Sequence, residues 1–330
     1  MGLLTQRKNF KPFEYTWAFE AWKMQQQTHW LPEEVPMSDD IRDWKNKLTT
    51  AEKNLCTQIF KLFTQMDIEV NDCYMQRYAN IFQPVEIKMM LSAFSSMETI
   101  HVVAYSHLVE TLGMPDDIYT EFLKYKEMKD KCDYLHQFKH DTKEGIALTL
   151  AAFGAFTEGM QLFASFIILL NFTRFGKMKG MGQIITWSVR DETLHCLSII
   201  RLFHEFVNEF PEIDLDILHQ SIKKIAQEMV SNEDKFVDLA FEIDGGVEGL
   251  SADEVKLYIR YIADRRLIQL GVEPIFGVKK NPIGYWLDPI LNGVEHANFF
   301  EIRSTEYSKS ATTGTWEEAF SVHENTLFGN

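Results

Sequence analysis

The segment from Gly145 to Thr173 constrains the fold more strongly than any other part of the sequence. It consists of two charge-free runs of 13 and 15 residues, with Glu158 between them. Each run is shorter than the roughly 20 apolar residues that a membrane-spanning helix needs. Since a helix that is apolar on all sides lies either in a membrane or at the centre of a bundle, we interpret the segment as the central helix of a bundle and expect no membrane association.

The rest of the chain is also predicted to be helical, which gives an all-α fold. The 330 residues include only 9 prolines and 17 glycines, and the stretches between them follow a helical period with almost no strand-like alternation. Residues 1–45 are expected to form an arm around a helical domain of residues 46–300, and residues 301–330 to form a C-terminal tail. Helices are predicted at about 51–80, 85–112, 116–128, 144–175, 182–208, 215–242 and 251–271.

Two local patterns predict where helices begin. Asp39 and Asp40 are expected to cap a short helix, and Ser251-x-x-Glu254 has the form of a capping box. The stretch FGKMKGMG (175–182) is predicted to join two long antiparallel helices. Because it lacks the Gly-Lys-Ser/Thr order of a phosphate-binding loop, we assign it no nucleotide role.

The composition argues against several classes of function and location. The 48 acidic residues exceed the 33 basic ones and give a net charge of −15, which argues against nucleic-acid binding. The four cysteines show no Cys-x-x-Cys spacing, so we expect a reducing, cytoplasmic location without disulfides or a zinc ribbon. The N-terminal sequence has no apolar run of the kind found in secretory signals, and no such signal is expected.

Two Glu-x-x-His pairs carry the strongest chemical signal. At about 100° per residue, positions three apart lie roughly 60° apart around a helix, so both side chains of a pair point the same way. A four-helix bundle with one such pair on each of two helices, and a carboxylate on each of the other two, forms a dimetal site. The pairs are Glu98-Thr99-Ile100-His101 and Glu192-Thr193-Leu194-His195.

Two further acids complete the predicted site. Glu158 lies in the least polar part of the chain, where an unpaired carboxylate is costly, so it should be neutralised or bind a cation. On the fourth helix, Asp67 shares an inward stripe with Val70 and Tyr74, whereas Glu69 points to the opposite side. The predicted metal ligands are therefore Asp67, Glu98, His101, Glu158, Glu192 and His195.

The donor set indicates the kind of metal. Hard oxygen donors with one imidazole per metal suit iron or manganese, whereas zinc more often takes additional His or Cys ligands. We expect two metal ions per chain, with iron as the first choice and manganese or a mixed Mn/Fe pair as alternatives.

Tyr105 is predicted to be redox-active. It follows Glu98 by seven residues and His101 by four, so the three side chains share one helix face. A phenol beside an oxidising metal pair can lose an electron and a proton. Apolar side chains are expected to shield the resulting radical from water, namely Phe94, Phe153, Leu162 and Phe166.

With these residues in place, the chain resembles the radical-generating R2-type small subunit of class I ribonucleotide reductase. The resemblance spans nearly the whole chain in family order. The matching stretches are WLPEEV (30–35), FTQMDIEV (63–70), SSMETIHVVAYSHL (95–108), FGAFTEGMQLFASF (153–166), RDETLHC (190–196) and GVEHANFFEIRSTEYS (293–308).

The resemblance implies a ferritin-like homodimer with its stable radical at Tyr105. Asp191 resembles the family's relay carboxylate, bonded to His101, and Trp30 resembles its relay tryptophan. From the residues alone, Trp30 would be an anchor of the arm and Asp191 a surface acid. Tyr307, the only tyrosine after Tyr285, is the implied residue that passes the radical to a separate large catalytic subunit.

The implied function is oxygen activation by the metal pair, radical formation and ribonucleotide reduction in the large subunit. A flavoprotein activator is a further candidate partner. The alternative is a stand-alone dimetal oxidase or hydroxylase, which would need an open pocket near Phe94, Leu162 and Phe166. A third hypothesis, metal storage, leaves Tyr105 and Asp191 unexplained.

Overall fold

The computed structural model describes residues 2–243 and 246–291, and these ranges form an all-α fold, as predicted. An isolated bridge between Val247 and Leu250 is the only β-type pairing within them. The α-helices are α1 (Thr16–Gln27), α2 (Ser38–Asn46), α3 (Thr50–Asp72), α4 (Ala79–Ile81), α5 (Val85–Thr111), α6 (Ile118–Glu121), α7 (Lys126–Leu135), α8 (Lys143–Leu150), α9 (Leu162–Arg174), α10 (Lys179–Glu209), α11 (Leu215–Ala240) and α12 (Ala252–Gln269).

Two π-helical segments interrupt the long helices. The first π segment, Cys73–Tyr78, continues α3 into α4, and the second π segment, Ala151–Gln161, lies between α8 and α9. Short 3₁₀ helices occur at Pro32–Glu34 and Phe122–Lys124. Residues 284–291 are also helical.

The central apolar segment is buried, as predicted for a bundle centre. By length and composition, Lys143–Arg174 is the one helix of residues 2–243 and 246–291 that could cross a membrane, but its most apolar 18 residues are entirely covered by protein. The second π segment packs against α10, α11 and α12. Glycines at two positions permit this approach, since a Cβ on Gly154 would lie 2.3 Å from Ile199 Cγ2, and one on Gly159 would lie 2.5 Å from Cys196 Sγ.

The prediction of one helix over 116–128 is wrong, because the helical conformation is interrupted at Tyr125. This residue is extended, with φ −104° and ψ 119°, and separates the 3₁₀ turn from α7. The interruption allows two side chains to contact Lys61. Its Nζ lies 2.7 Å from Glu121 Oε2 and 3.2 Å from the Tyr125 hydroxyl. Lys61 is buried, and a buried ammonium group needs such partners.

The segment predicted as an arm contains two helices, the short one expected near Asp39 and a further one, α1, that the sequence pattern did not define. α1 packs against α5 and α10, and α2 packs against α10. The predicted cap by Asp39 and Asp40 is wrong, since α2 begins at Ser38 with no side-chain cap. Asp40 instead accepts 2.8 Å hydrogen bonds from the Gly180 and Met181 amides, and so caps the start of α10. The Ser251–Glu254 capping box is confirmed.

Candidate metal centre

All six predicted ligands are buried and lie together at the centre of the bundle. Their donor atoms form two groups, in each of which the atoms lie within 4.8 Å of one another. One group comprises Asp67 from α3 with Glu98 and His101 from α5, and the other comprises Glu98, Glu158 from the second π segment, and Glu192 and His195 from α10.

Two of the carboxylates lie between the two imidazoles. His195 Nδ1 is 2.9 Å from Glu98 Oε1 and 3.7 Å from Glu192 Oε2. His101 Nδ1 is 3.6 Å from Glu98 Oε2 and 3.0 Å from Glu192 Oε1. Glu158 belongs to the His195 side, with 3.5 Å between its Oε1 and His195 Nδ1. The geometry therefore offers two adjacent cation positions, with Glu98 in both donor groups and Glu192 close to both imidazoles.

Most donor atoms of this cluster have no hydrogen-bond partner among residues 2–243 and 246–291. The unpartnered atoms are both carboxylate oxygens of Asp67, Glu98 and Glu192, and the Nδ1 atoms of His101 and His195. Buried polar atoms are almost always bonded, and ionised buried carboxylates need a counter-charge. Two divalent cations would balance the four carboxylates of the cluster, so the residues fit a dimetal centre.

The pKa shifts within the cluster also fit a dimetal centre. Burial, together with neighbouring carboxylates, raises the pKa of Asp67 well above its usual value and that of Glu158 to about 8. Burial alone would lower the pKa of His101 and His195, but their contacts with the acids raise it on balance. Cations at this position would displace protons from these groups, as metal binding to carboxylate and imidazole ligands requires.

Each histidine also has a partner for its outer ring nitrogen. His101 Nε2 lies 3.3 Å from Asp191 Oδ2, and His195 Nε2 lies 2.9 Å from Gln25 Oε1. These contacts direct both Nδ1 atoms towards the centre, a common arrangement for metal-binding histidines. Gln25 was not identified from the sequence, although it follows Trp17 and Ala21 on the buried stripe of α1.

The predicted relay residues form one hydrogen-bonded chain. The Trp30 Nε1–H group donates a 2.8 Å hydrogen bond to Asp191 Oδ2, the same oxygen that contacts His101. Asp191 is buried, and its Oδ1 accepts hydrogen bonds from Gln25 Nε2 at 3.3 Å and Arg190 Nε at 3.2 Å. Burial would raise the Asp191 pKa, but the contact with His101, the charge of Arg190 and the hydrogen bond from Trp30 hold it below the usual value. Asp191 is therefore not the surface acid that its sequence position alone would suggest.

Tyr105 is buried beside the His101 half of the centre. Its hydroxyl donates a 3.1 Å hydrogen bond to Ser188 Oγ, and its ring centroid lies 6.5 Å from that of His101. The ring packs against Phe63 at 4.7 Å, and Phe63 in turn contacts Phe166 at 5.4 Å. Burial, and secondarily the charge of Asp67, raises the Tyr105 pKa well above its usual value.

The aromatic side chains expected around Tyr105 are distributed differently. Phe94 lies over His195, with 4.2 Å between ring centroids, and Phe153 packs against Phe138 at 6.4 Å. Phe63 is the ring that directly covers Tyr105. Helix spacing predicts that Phe63 points inward with Asp67, but not its contact with Tyr105, because that contact joins α3 to α5 and depends on how these helices pack.

A second buried phenol contacts the centre. The Tyr74 hydroxyl donates a 2.6 Å hydrogen bond to Glu158 Oε1. Its position on the inward stripe with Asp67 was predicted, but not its bond to a ligand.

Tyr307 and the stretch at 293–308 lie outside the described residues, as does the tail at 301–330.

Comparison with known proteins identifies a family that matches most of the chain. The family described as "Ribonucleotide reductase, small chain" matches residues 7–282. A probable ribonucleoside-diphosphate reductase small subunit, 048L of Invertebrate iridescent virus 3, is 45% identical over 332 residues, which cover 95% of this chain and 88% of that protein. The ribonucleoside-diphosphate reductase subunit beta of Chlamydia pneumoniae is 27% identical, over 90% of this chain and 88% of that one.

Solved structures confirm the ferritin-like fold. The ribonucleotide reductase R2 subunit from Clostridium botulinum superposes with a TM-score of 0.81 at 20% identity, covering 88% of this chain and 94% of that one. The dimanganese(II) NrdF of Streptococcus sanguinis gives a TM-score of 0.73 at 20% identity, covering 88% of this chain and 99% of that one. The chain therefore belongs to the ribonucleotide reductase small-chain family and is an oxidoreductase subunit.

Proposed function

We propose that this chain generates a radical at Tyr105 and delivers the oxidising equivalent to a large catalytic subunit, which reduces ribonucleoside diphosphates to deoxyribonucleotides. One observation carries the proposal: a buried cluster of four acids and two imidazoles lies beside a buried phenol. The names of the curated relatives support the substrate class.

Six side chains of the cluster would hold the metal pair. One ion would be held by Asp67, Glu98 and His101, and the other by Glu98, Glu158, Glu192 and His195. When bound, the metal pair supplies the oxidising power drawn from molecular oxygen. The donor set favours iron, with manganese or a mixed pair as alternatives.

The surrounding residues exclude water from the radical and provide a path for the oxidising equivalent. Tyr105 gives up an electron and its hydroxyl proton, and the closed apolar packing around Phe63 excludes the water that would quench the radical. The oxidising equivalent then passes through His101, Asp191 and Trp30, which are in hydrogen-bond contact in this order. Tyr307 is the proposed exit residue towards the large subunit.

The proposal includes the assembly and location of the protein. We expect a homodimer of the 38.5 kDa chain, which light scattering of the purified protein would measure, and a flavoprotein as a candidate activator. We expect a cytoplasmic location, in agreement with four cysteines that are all buried and unpaired.

The experiment that tests the proposal compares wild type with Tyr105→Phe in the presence of candidate large subunits. The substitution removes one oxygen from a buried ring, so metal content should be unchanged. Deoxyribonucleotide formation should fall to background. Normal reduction by the variant, or a lack of reduction by wild type with every plausible large subunit, would contradict the proposal.

The stand-alone oxidase remains the second hypothesis, but no observation favours it. It needs substrate access beside the metals, whereas Phe94, Leu162 and Phe166 are at most 2% exposed. A hydroxylase or storage protein should also keep its function in the Tyr105→Phe variant.

A further inference from the structure

We infer that Tyr74 is a positioning residue, which fixes the orientation of Glu158 and thereby sets the affinity of the His195-side metal site. The inference rests on the proposed dimetal function and adds a residue to it. It starts from an asymmetry in the cluster. Of the four buried carboxylates, Glu158 accepts a hydroxyl hydrogen bond, whereas the oxygens of Asp67, Glu98 and Glu192 have no hydrogen-bond partner in the described part of the chain.

The contact links the two π segments. Tyr74 lies in the first π segment and Glu158 in the second. One turn further on, the Tyr78 hydroxyl donates a 3.0 Å hydrogen bond to the Thr149 carbonyl, just before the second π segment. π-Helical turns are rare in proteins and occur frequently at functional sites. The first π segment therefore directs one phenol to a predicted ligand in the second π segment and another to the backbone at the end of α8.

Packing around the Tyr74 ring restricts the position of its hydroxyl. The side chain is 1% exposed, and its ring packs edge-on against Tyr78 at 5.8 Å, Phe94 at 6.1 Å and His195 at 6.2 Å. The ring position is thus set by packing, and the hydroxyl aims at Glu158 Oε1. A fixed donor of this kind restricts the rotation of a ligating carboxylate, and removal of such outer partners typically weakens metal binding about 10–100-fold.

The position of Glu158 makes the expected effect site-specific. Glu158 groups with His195 but does not belong to the group of Asp67 and His101. Loss of the Tyr74 hydroxyl should therefore weaken one of the two metal sites and leave the other near its wild-type affinity. A tyrosine that merely fills space would change stability without this asymmetry.

The test is a titration of the metal-free full-length chain with Mn²⁺, followed by electron paramagnetic resonance of free and bound metal. Wild type should bind two Mn²⁺ ions per chain. Tyr74→Phe should bind one ion as wild type does and the second about 10–100-fold more weakly, with a diminished signal from the coupled pair. Tyr78→Phe is the matched control, because it removes a hydroxyl from the same π segment that contacts backbone rather than a ligand.

A second variant restores the donor. Tyr74→4-aminophenylalanine places an N–H group where the hydroxyl was, and should recover most of the second-site affinity whether or not Tyr74→Phe folds well, as judged by circular dichroism. Wild-type affinities at both sites in Tyr74→Phe, equal losses at both sites, or equal losses in Tyr74→Phe and Tyr78→Phe would overturn the inference. Failure of the wild-type chain to bind two Mn²⁺ ions would instead contradict the proposed function.

Discussion

Asp191 connects a predicted metal ligand, His101, to Trp30. One of its oxygens contacts both His101 Nε2 and Trp30 Nε1, and the other accepts from Gln25 and Arg190. A carboxylate with this many donors is rigidly held. The Trp30 indole is consequently fixed relative to a predicted metal ligand, as the proposed relay requires.

Replacing Trp30 by Phe should separate radical formation from radical transfer. The variant loses the 2.8 Å bond to Asp191 but leaves all six candidate ligands in place. We expect normal metal content, and nucleotide reduction as low as in Tyr105→Phe, in an assay with the large subunit. Trp187→Phe is the matched control, since that ring packs 5.1 Å from Trp30. Normal turnover by Trp30→Phe would exclude the relay.

The second π segment shows how element packing positions a ligand. Gly159 follows Glu158 directly, and its carbonyl accepts a 2.8 Å hydrogen bond from Arg266 Nε of α12. A Cβ at this position would lie 2.5 Å from Cys196 Sγ and 2.6 Å from Arg266 Nε. The segment is therefore held between α10 and α12, with no room for an added methyl group.

Gly159→Ala should accordingly destabilise the protein. Alanine favours helix by up to about 1 kcal/mol over glycine, but overpacking of a buried site costs about 1–3 kcal/mol, so the net change in unfolding free energy should be a loss. Urea unfolding of the metal-free chain measures it. Adding Cys196→Ala removes one clashing atom and should restore part of the loss. A gain in stability from Gly159→Ala alone would show that the contact is not tight.

The start of α5 anchors the segment that leads into α1. Glu86 Oε1 accepts hydrogen bonds from the Glu14 amide at 2.9 Å and the Tyr15 amide at 3.1 Å, and Glu86 Oε2 bonds Arg7. Burial would raise the Glu86 pKa, but hydrogen bonds from backbone amides and Arg7 lower it overall. This anchor matters to the site because α1 carries Gln25.

Glu86→Gln should weaken this anchor in a pH-dependent manner. Since the folded-state pKa lies below the usual 4.5, the carboxylate stabilises the fold above that pH and loses its contribution as the pH falls through the folded-state value. At pH 7 the variant should lose about 1.5–3 kcal/mol of unfolding free energy, and the difference should shrink in acid. Glu20→Gln, at a 62% exposed side chain of α1, should change little at either pH. A pH-independent difference would contradict this assignment.

At the scale of the whole molecule, helix geometry and local polarity led to six candidate ligands, which the structure places in one buried cluster. Glu98 and Glu192 belong to the two Glu-x-x-His pairs and Asp67 to the inward stripe of its helix, whereas Glu158 was chosen for its apolar surroundings. The periodicity also predicted the all-α fold and the long central helices. Both kinds of prediction depend on residues close in sequence.

Contacts between distant helices could not be predicted in this way. Gln25 reaches His195 from α1, Tyr74 reaches Glu158 from the first π segment, and Ser188 accepts from Tyr105. Each depends on the packing of two elements, which periodicity within one helix does not specify. The break at Tyr125 has the same origin, since it satisfies Lys61 on another helix.

The most direct test of the central claim is electron paramagnetic resonance, with metal analysis, on freshly activated wild-type protein and on Tyr105→Phe. The account predicts two metal ions per chain in both proteins, and a tyrosyl signal that is present in wild type and absent in the variant. Fewer than two ions in wild type, or a tyrosyl signal that persists in Tyr105→Phe, would contradict it.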